Sequence, residues 1–265
     1  MKKQKISIIT VTKNSEKYLE RNILSINNQA YKNYEHIIID GGSTDKTLDI
    51  IHKHRKKIKY FISEKDKGLY DAMNKGIKKS TGDIIGILNS DDIYYKNALK
   101  TVNKYFSKYS KLDFLFGSVY KYKLLHGYHP KKIRWSFGFY STHSVGFFIR
   151  KKSHKKIGYY NINYRYSADY DLFYRLIVKK KMIGMATNKS EIFGKFRSGG
   201  LSSRIRYIDF LKECNLIRLN NGQNFFIVYL IFLARLFRNI KKVFVWKLSY
   251  AFALVQKIHC IIKKF

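Results

Sequence analysis

Apolar and polar positions alternate in blocks along the first ninety residues, and the blocks have the lengths of strands and helices in turn. Residues 5–12 (KISIITVT) are short and β-branched and predict a strand. Residues 15–28 carry Leu19, Ile23, Leu24 and Ile26 on one side, which predicts a helix capped near Asn14 or Ser15. The alternation continues with a strand at 34–40 (YEHIIID), a Gly41-Gly42-Ser43-Thr44 turn and a helix at 45–54. A short strand at 59–63, a helix at 70–79 and a strand at 83–88 complete it. Such order predicts βαβ units around a parallel sheet, whose ligands bind beyond the carboxyl ends of the strands. Thr12, Asp40, Glu64 and the pair Asp91/Asp92 all fall at those ends.

Past Asp92 the pattern is less regular. Helices are predicted at 95–106 and 169–180, and strands at 113–120, 144–150 and 191–196. Ser198-Gly199-Gly200 follows as a turn, and there is no internal repeat. Residues 225–234 are ten consecutive apolar residues, too few for a spanning helix, which needs about 20. Arg235, Arg238 and Lys242 then recur at helical spacing opposite Leu233, Leu236, Phe237, Ile240 and Phe244. This amphipathic pattern suits a helix lying in a membrane interface, which is favoured over a helical appendage packed on the domain or a dimer contact because a packed helix has no need to exclude every acid.

Charge sharpens the picture. The chain has 53 Lys+Arg against 18 Asp+Glu, a formal +35, and no acid follows Glu213. An AT-rich coding bias accounts for much of the Lys, but not for where acids are missing. Nucleic acid and an anionic membrane surface are the partners such charge suggests. Only Cys214 and Cys260 are present, so a disulfide framework and a Cys/His metal site are excluded. The N-terminal apolar run is too short for a signal peptide, and a reducing cytosol fits.

Where acids are scarce, paired acids are informative. Asp91 and Asp92 would repel each other unless a cation neutralised them, and a hard divalent metal takes oxygen ligands of this kind. In an extended segment the two would face opposite ways, one towards metal and one towards a sugar hydroxyl. Asp40 ends a strand before two glycines, where the backbone allows close approach of a planar ligand. Helix capping accounts for Ser43-Thr44-Asp45 but not for Asp40. Asp169, within Ser167-Ala168-Asp169-Tyr170-Asp171, opens a helix. It is placed to act as a general base, although N-terminal capping alone would account for it.

These residues together resemble the family 2 glycosyltransferases of GT-A fold, in particular bacterial enzymes that build polysaccharide and capsule repeat units. The resemblance covers residues 5–203. It rests on Thr12-Lys13-Asn14, Leu24-Ser25-Ile26, Gln29, and Ile39-Asp40-Gly41-Gly42-Ser43-Thr44-Asp45. It continues through residues 63–76 (SEKDKGLYDAMNKG), Thr81-Gly82-Asp83, Leu88-Asn89-Ser90-Asp91-Asp92, His143 and Ala168-Asp169-Tyr170-Asp171. It departs at Asn89, the first position of the DxD motif, at Ala168, where many members carry Glu, and at Met73, where many carry Arg.

The resemblance implies an α/β fold with a mixed sheet flanked by helices and a C-terminal amphipathic helical appendage. Residues 1–215 would form the GT-A domain, with 1–94 the donor nucleotide half and 95–215 the acceptor half, followed by a basic helical region at 216–265. It implies inverting transfer from a nucleotide-diphospho-sugar, UDP being the commonest nucleotide, to a hydroxyl of a glycan or lipid-linked acceptor. Asp169 would be the base. Thr12, Asn14, Asp40, Gly41, Glu64, Asp66, Asn74 and Asp91 would line the donor site, and Asp92 with Asp91 would hold Mn²⁺ or Mg²⁺. His143, Asp171, Gly199 and Gly200 would lie on the acceptor side or in a closing loop. The implied location is the cytoplasmic face of the cell membrane, with residues 225–265 as the contact. A metal-dependent nucleotidyltransferase would use similar carboxylates. A nucleic-acid binder would explain the charge, but no motif of that class is present, and nucleic acid is not expected as a partner.

Overall fold

The computed structural model describes residues 3–136, 138–197, 199 and 205–240. The chain divides into two compact units, Met1–Gly200 and Leu201–Phe265. In the first unit the strands are β1 (Ile6–Thr12), β2 (Tyr34–Asp40), β3 (Tyr60–Ser63), β4 (Ile84–Ile87), β5 (Ile93–Tyr94) and β6 (Phe114–Phe116). β7 (Ser118–Tyr120), β8 (Leu124–Leu125), β9 (Phe147–Arg150), β10 (Gly184–Ala186) and β11 (Ile192–Lys195) follow. The helices are α1 (Leu19–Asn27), α2 (Thr47–Lys53), α3 (Leu69–Lys79), α4 (Ala98–Lys108), α5 (Lys151–Ile157) and α6 (Ala168–Tyr174), the last continuing into a π-turn at Arg175–Lys179.

The main sheet has the order β10-β6-β9-β4-β1-β2-β3. β3, β2, β1 and β4 run parallel, as the alternation predicts, while β9 is antiparallel to both β4 and β6. The sheet is therefore mixed. β1 is buried along its whole length, which is why its sequence is an apolar run rather than an alternation. A smaller sheet, β5-β11-β7-β8, packs beside it.

Two expectations need correction. The predicted strand at 113–120 is two strands in different sheets, broken at Gly117, where a Cβ would sit 2.2 Å from the Phe193 ring. Helix α1 begins at Leu19, not near Asn14. The Ser15 amide is taken instead by the Thr47 hydroxyl at 2.7 Å, and residues 15–18 form a turn.

One buried ionic cluster locks the parallel half. Glu35 on β2 accepts Ser7 Oγ, the Thr81 amide and Thr81 Oγ1, each at 2.6 Å, and pairs with Lys5 Nζ at 2.8 Å. Burial raises its pKa, but these four donors outweigh that and hold the carboxyl down at about 2.

In the second unit, α7 (Tyr207–Asn220) and α8 (Phe225–Arg238) are joined by a turn at Gly222, φ +79°. Asn224 caps α8 by accepting the Phe226 and Ile227 amides at 2.9 and 3.3 Å. Phe225, Phe226, Ile227, Tyr229, Leu230 and Phe237 are exposed, and Val228 is buried. No helix among the described residues is long and apolar enough to cross a membrane. Lys242, Phe244 and the remainder of the predicted membrane-facing segment, 241–265, lie outside the described residues.

Candidate active site

Neighbouring strands β2, β1 and β4 carry the candidate residues to one rim, because their carboxyl ends lie side by side. Thr12 and Asp40 are register partners at the ends of β1 and β2. Asp40 is fully buried. Its carboxylate accepts the Gly42 and Ser43 amides at 3.1 and 2.9 Å, Ser63 Oγ at 2.6 Å and Ser43 Oγ at 2.5 Å. It thus shapes the glycine turn. Asn14, at φ +48°, clips the same turn by donating its amide to Ser43 Oγ and accepting the Thr44 amide, both at 2.8 Å. A Cβ at Gly41 would lie 2.3 Å from Asp66 Oδ2, so any side chain there would displace the Asp66 carboxylate. Asp66 in turn caps Gly68 at 2.9 Å. Thr12 Oγ1 is buried without a hydrogen-bond partner. Glu64 is half exposed and paired with Lys75 at 2.7 Å.

The acidic pair lies at the end of β4. Residues 89–92 are a turn, closed by the Asp92 amide on the Asn89 carbonyl at 3.0 Å, rather than the extended segment anticipated. Both acids consequently meet one residue, Arg197. Its amide donates to Asp92 Oδ1 at 2.8 Å, and its Nη1 lies 3.2 Å from Asp91 Oδ2. The guanidinium sits 3.9 Å from the Tyr18 ring centroid. Ser144 Oγ accepts the Asn89 amide at 3.0 Å and donates to Asp92 Oδ2 at 2.6 Å. The Arg197 guanidinium thus pairs with Asp91, while Asp92 receives two neutral donors.

Asp92 is buried, and that burial pushes its pKa up to about 7, with the Asp91 charge adding to the rise. A carboxyl held near neutrality is one that a divalent cation would convert fully to its anion. Asn89 Oδ1 is buried with no partner beside it. Two carboxylates and one orphan amide oxygen are donors of the kind a hard divalent cation takes. Among the described residues no group of three or more His, Cys, Asp or Glu side chains surrounds such a position.

Asp169 opens α6 and is held from two sides. Tyr70 Oη on α3 lies 3.2 Å from Oδ1, and Tyr140 Oη lies 3.4 Å from Oδ2. Tyr70 is buried, which raises its pKa well above the usual phenol value and keeps it a donor. Its one hydroxyl proton has a second acceptor, the Tyr166 carbonyl at 3.1 Å. Asp171 pairs with Arg175 at 2.9 Å. His143 is bonded to Tyr160 Oη at 2.6 Å, and burial lowers its pKa against the opposing pull of Asp169. The Asn74 side chain binds the Tyr160 backbone in both directions, at 2.8 and 2.9 Å. Gly199 is exposed at φ +93°, and Gly200 lies outside the described residues.

Contacts join the two carboxylate clusters. Asp92 bonds Ser144, whose neighbour His143 bonds Tyr160; the Tyr160 ring packs on Tyr70 at 5.5 Å, and Tyr70 reaches Asp169. Sequence reasoning missed Ser144, Arg197, Tyr70, Tyr140 and Asn22. Asn22 is the least legible of these. From inside α1 its amide donates to the Asn89 and Asp92 carbonyls at 2.8 and 2.9 Å, fixing the acidic turn from beneath. Asn22→Ala is expected to cost about 2–3 kcal/mol of unfolding free energy by leaving both carbonyls unpaired. A urea midpoint equal to that of the wild type would refute this anchoring.

The family model for glycosyl transferase family 2 matches residues 7–169. The chain belongs to this family. An uncharacterized glycosyltransferase of Haemophilus influenzae is 43% identical over 98 residues, 36% of this chain and 39% of that one. One from Rickettsia typhi is 33% identical over 65% of this chain and 58% of its own, so the chain spans well under two thirds of either relative. A glycosyltransferase of PGL/p-HBAD biosynthesis from Mycobacterium bovis is 29% identical over 78% of this family 2 chain and 82% of its own length. Among solved structures, S. aureus TarS with UDP-GlcNAc aligns at TM-score 0.67 and 20% identity, covering 89% of this chain and 73% of that one. The mannosyltransferase PcManGT of Pyrobaculum calidifontis, in complex with GDP-Man and Mn²⁺, aligns at TM-score 0.66 and 14% identity, covering 96% and 76%. The fold is the GT-A mixed sheet flanked by helices.

Proposed function

We propose that this chain transfers a sugar from a nucleotide-diphospho-sugar, a UDP-sugar first among the options, to a hydroxyl of a glycan or lipid-linked acceptor, with inversion. The observation that supports the reading is the path of contacts from Asp92 to Asp169, which links the two candidate carboxylates. Asp169 takes the acceptor's hydroxyl proton. The oxygen so released bonds the anomeric carbon, and the bond from that carbon to the diphosphate breaks with its electron pair, so a nucleoside diphosphate leaves. Tyr70 suits this step, because its proton can turn to the Tyr166 carbonyl as Asp169 is neutralised. Asp92 and Asp91, with Asn89, would hold Mn²⁺ or Mg²⁺, which when bound supplies charge stabilisation for the departing diphosphate. Thr12, Asn14, Asp40, Gly41, Glu64 and Asp66 frame the donor pocket, and Asn74 supports it through Tyr160.

Product analysis tests the reaction class. Release of a nucleoside diphosphate supports it, whereas pyrophosphate released from a nucleoside triphosphate would replace it with nucleotidyl transfer. The exposed apolar residues of α8, ending in Arg235 and Arg238, support docking on an anionic membrane at the cytoplasmic face. Phe226→Glu with Leu230→Glu is expected to reduce co-sedimentation with anionic vesicles severalfold, and undiminished sedimentation would remove this part of the reading.

A further inference from the structure

Ser144 reaches the acidic turn from another segment, the turn leading into β9, and its one buried hydroxyl is bonded to both Asn89 and Asp92. The Asn89 amide donates to Oγ at 3.0 Å, and Oγ donates to Asp92 Oδ2 at 2.6 Å. Each bond fixes the other. The amide can only donate, so it occupies a hydroxyl lone pair and the single hydroxyl proton goes to the carboxylate. The Arg197 amide holds the other oxygen, Oδ1, at 2.8 Å, so the plane of the Asp92 carboxyl is set from both sides. The segment that carries Ser144 is itself pinned. The Val145 amide donates to the Ile87 carbonyl at 3.2 Å, at the end of β4, and the Gly146 carbonyl accepts the Gly117 amide at 2.8 Å. Val145 is fully buried at φ +69°, a conformation that a β-branched residue keeps only where its surroundings impose it.

The same hydrogen-bond pattern occurs at the amino end of β1, where Ser7 Oγ accepts the Gly82 amide at 2.9 Å and donates to Glu35 at 2.6 Å. There Lys5 completes the cluster with a cation at 2.8 Å. Asp92 differs. Among the described residues no Lys or Arg side chain forms an ion pair with it, and Asn89 Oδ1 lies buried and unpartnered in the same turn. We propose that Ser144 is a positioning residue for a divalent cation, holding the Asp92 carboxylate and the Asn89 backbone in one arrangement and acting on the ion through Asp92. This rests on the reading of Asp92 as a metal ligand. A hydrogen-bond donor behind a ligand fixes its orientation, and losing one commonly weakens metal binding by roughly 10–100-fold.

The test is Mn²⁺ titration of the full chain, alone and with UDP, with the free ion counted by electron paramagnetic resonance. Ser144→Ala should weaken Mn²⁺ binding by about tenfold or more. Ser144→Cys, close in size but a weak donor, should weaken it as well and serves if the alanine variant does not fold. Ser7→Ala is the control. It removes a hydroxyl with the same kinds of partner, an amide and a carboxylate, and should lower the thermal midpoint while leaving Mn²⁺ affinity unchanged. The proposal is overturned if both Ser144 variants bind Mn²⁺ like the wild type, or if Ser7→Ala loses as much affinity as they do. Asp92→Ala keeps the failures apart. A wild type that takes up no Mn²⁺, or binds it no better than Asp92→Ala, defeats the metal reading itself. Binding that depends on Asp92 but not on Ser144 defeats only the positioning role.

Discussion

Asp169→Asn is expected to lower kcat for sugar transfer by about a thousandfold while leaving donor affinity within about twofold of wild type. A positioned general base contributes roughly 10²–10⁴ in rate, and the amide cannot accept the proton. The substitution keeps shape and helix position; one of the Tyr70 and Tyr140 hydroxyls retains an oxygen to donate to, and the other can accept from the new amide nitrogen. A folding defect would lower donor binding as well, so the contrast between kcat and donor Kd isolates the chemical role. A variant with wild-type turnover would take the base assignment away from Asp169.

The second large effect is on stability in acid. His36 is buried in the main sheet with Nε2 3.0 Å from Thr10 Oγ1 and Nδ1 unpartnered, and burial lowers its pKa to about 3. Its folded value lies below its unfolded 6.5, so between these pH values the unfolded chain binds the extra proton and stability falls as pH falls. From pH 7.5 to 5 this one group costs about 2 kcal/mol. His154, lowered by burial to about 4, adds a loss of the same sign. Glu35 joins only below 4.5 and loses its contribution towards about 2. Asp92, raised to about 7, acts in the opposite direction. His36→Gln isolates one contribution: its urea unfolding free energy should fall by about 2 kcal/mol less than the wild type's between pH 7.5 and 5. Equal losses in the two proteins would mean that His36 does not titrate as described.

Local signals made the donor half legible. β1 and β2 are β-branched runs, and Asp40 closes one of them before two glycines, so their limits and their shared rim follow from the chain itself. The acceptor half resisted because its determinants are distant in sequence. Gly117 breaks a strand only because Phe193 occupies the space where its side chain would be. β9 enters antiparallel after a tight turn in which the buried, β-branched Val145 adopts φ +69°, a conformation no local preference suggests. The same holds at the site. Asp91 and Asp92 announce a need for a cation, but the Arg197 guanidinium that pairs with Asp91 lies 106 residues away. Asn22 reads as one polar residue in an amphipathic helix, and its clamp on the acidic turn spans 67 and 70 residues of sequence. Asp40 and Asn74 were legible as important positions, while the backbone groups that engage them were not.

The most direct test of a nucleotide-sugar site is thermal unfolding with UDP, GDP, CDP and dTDP, with and without Mn²⁺, on wild type and Asp92→Ala. A bound nucleotide at 100 times its Kd stabilises by about 2.7 kcal/mol, a shift of several degrees. The account predicts a Mn²⁺-dependent rise for one nucleotide, UDP foremost, that disappears in Asp92→Ala. A folded wild-type protein whose midpoint moves with none of the four, or moves equally in Asp92→Ala, would contradict it.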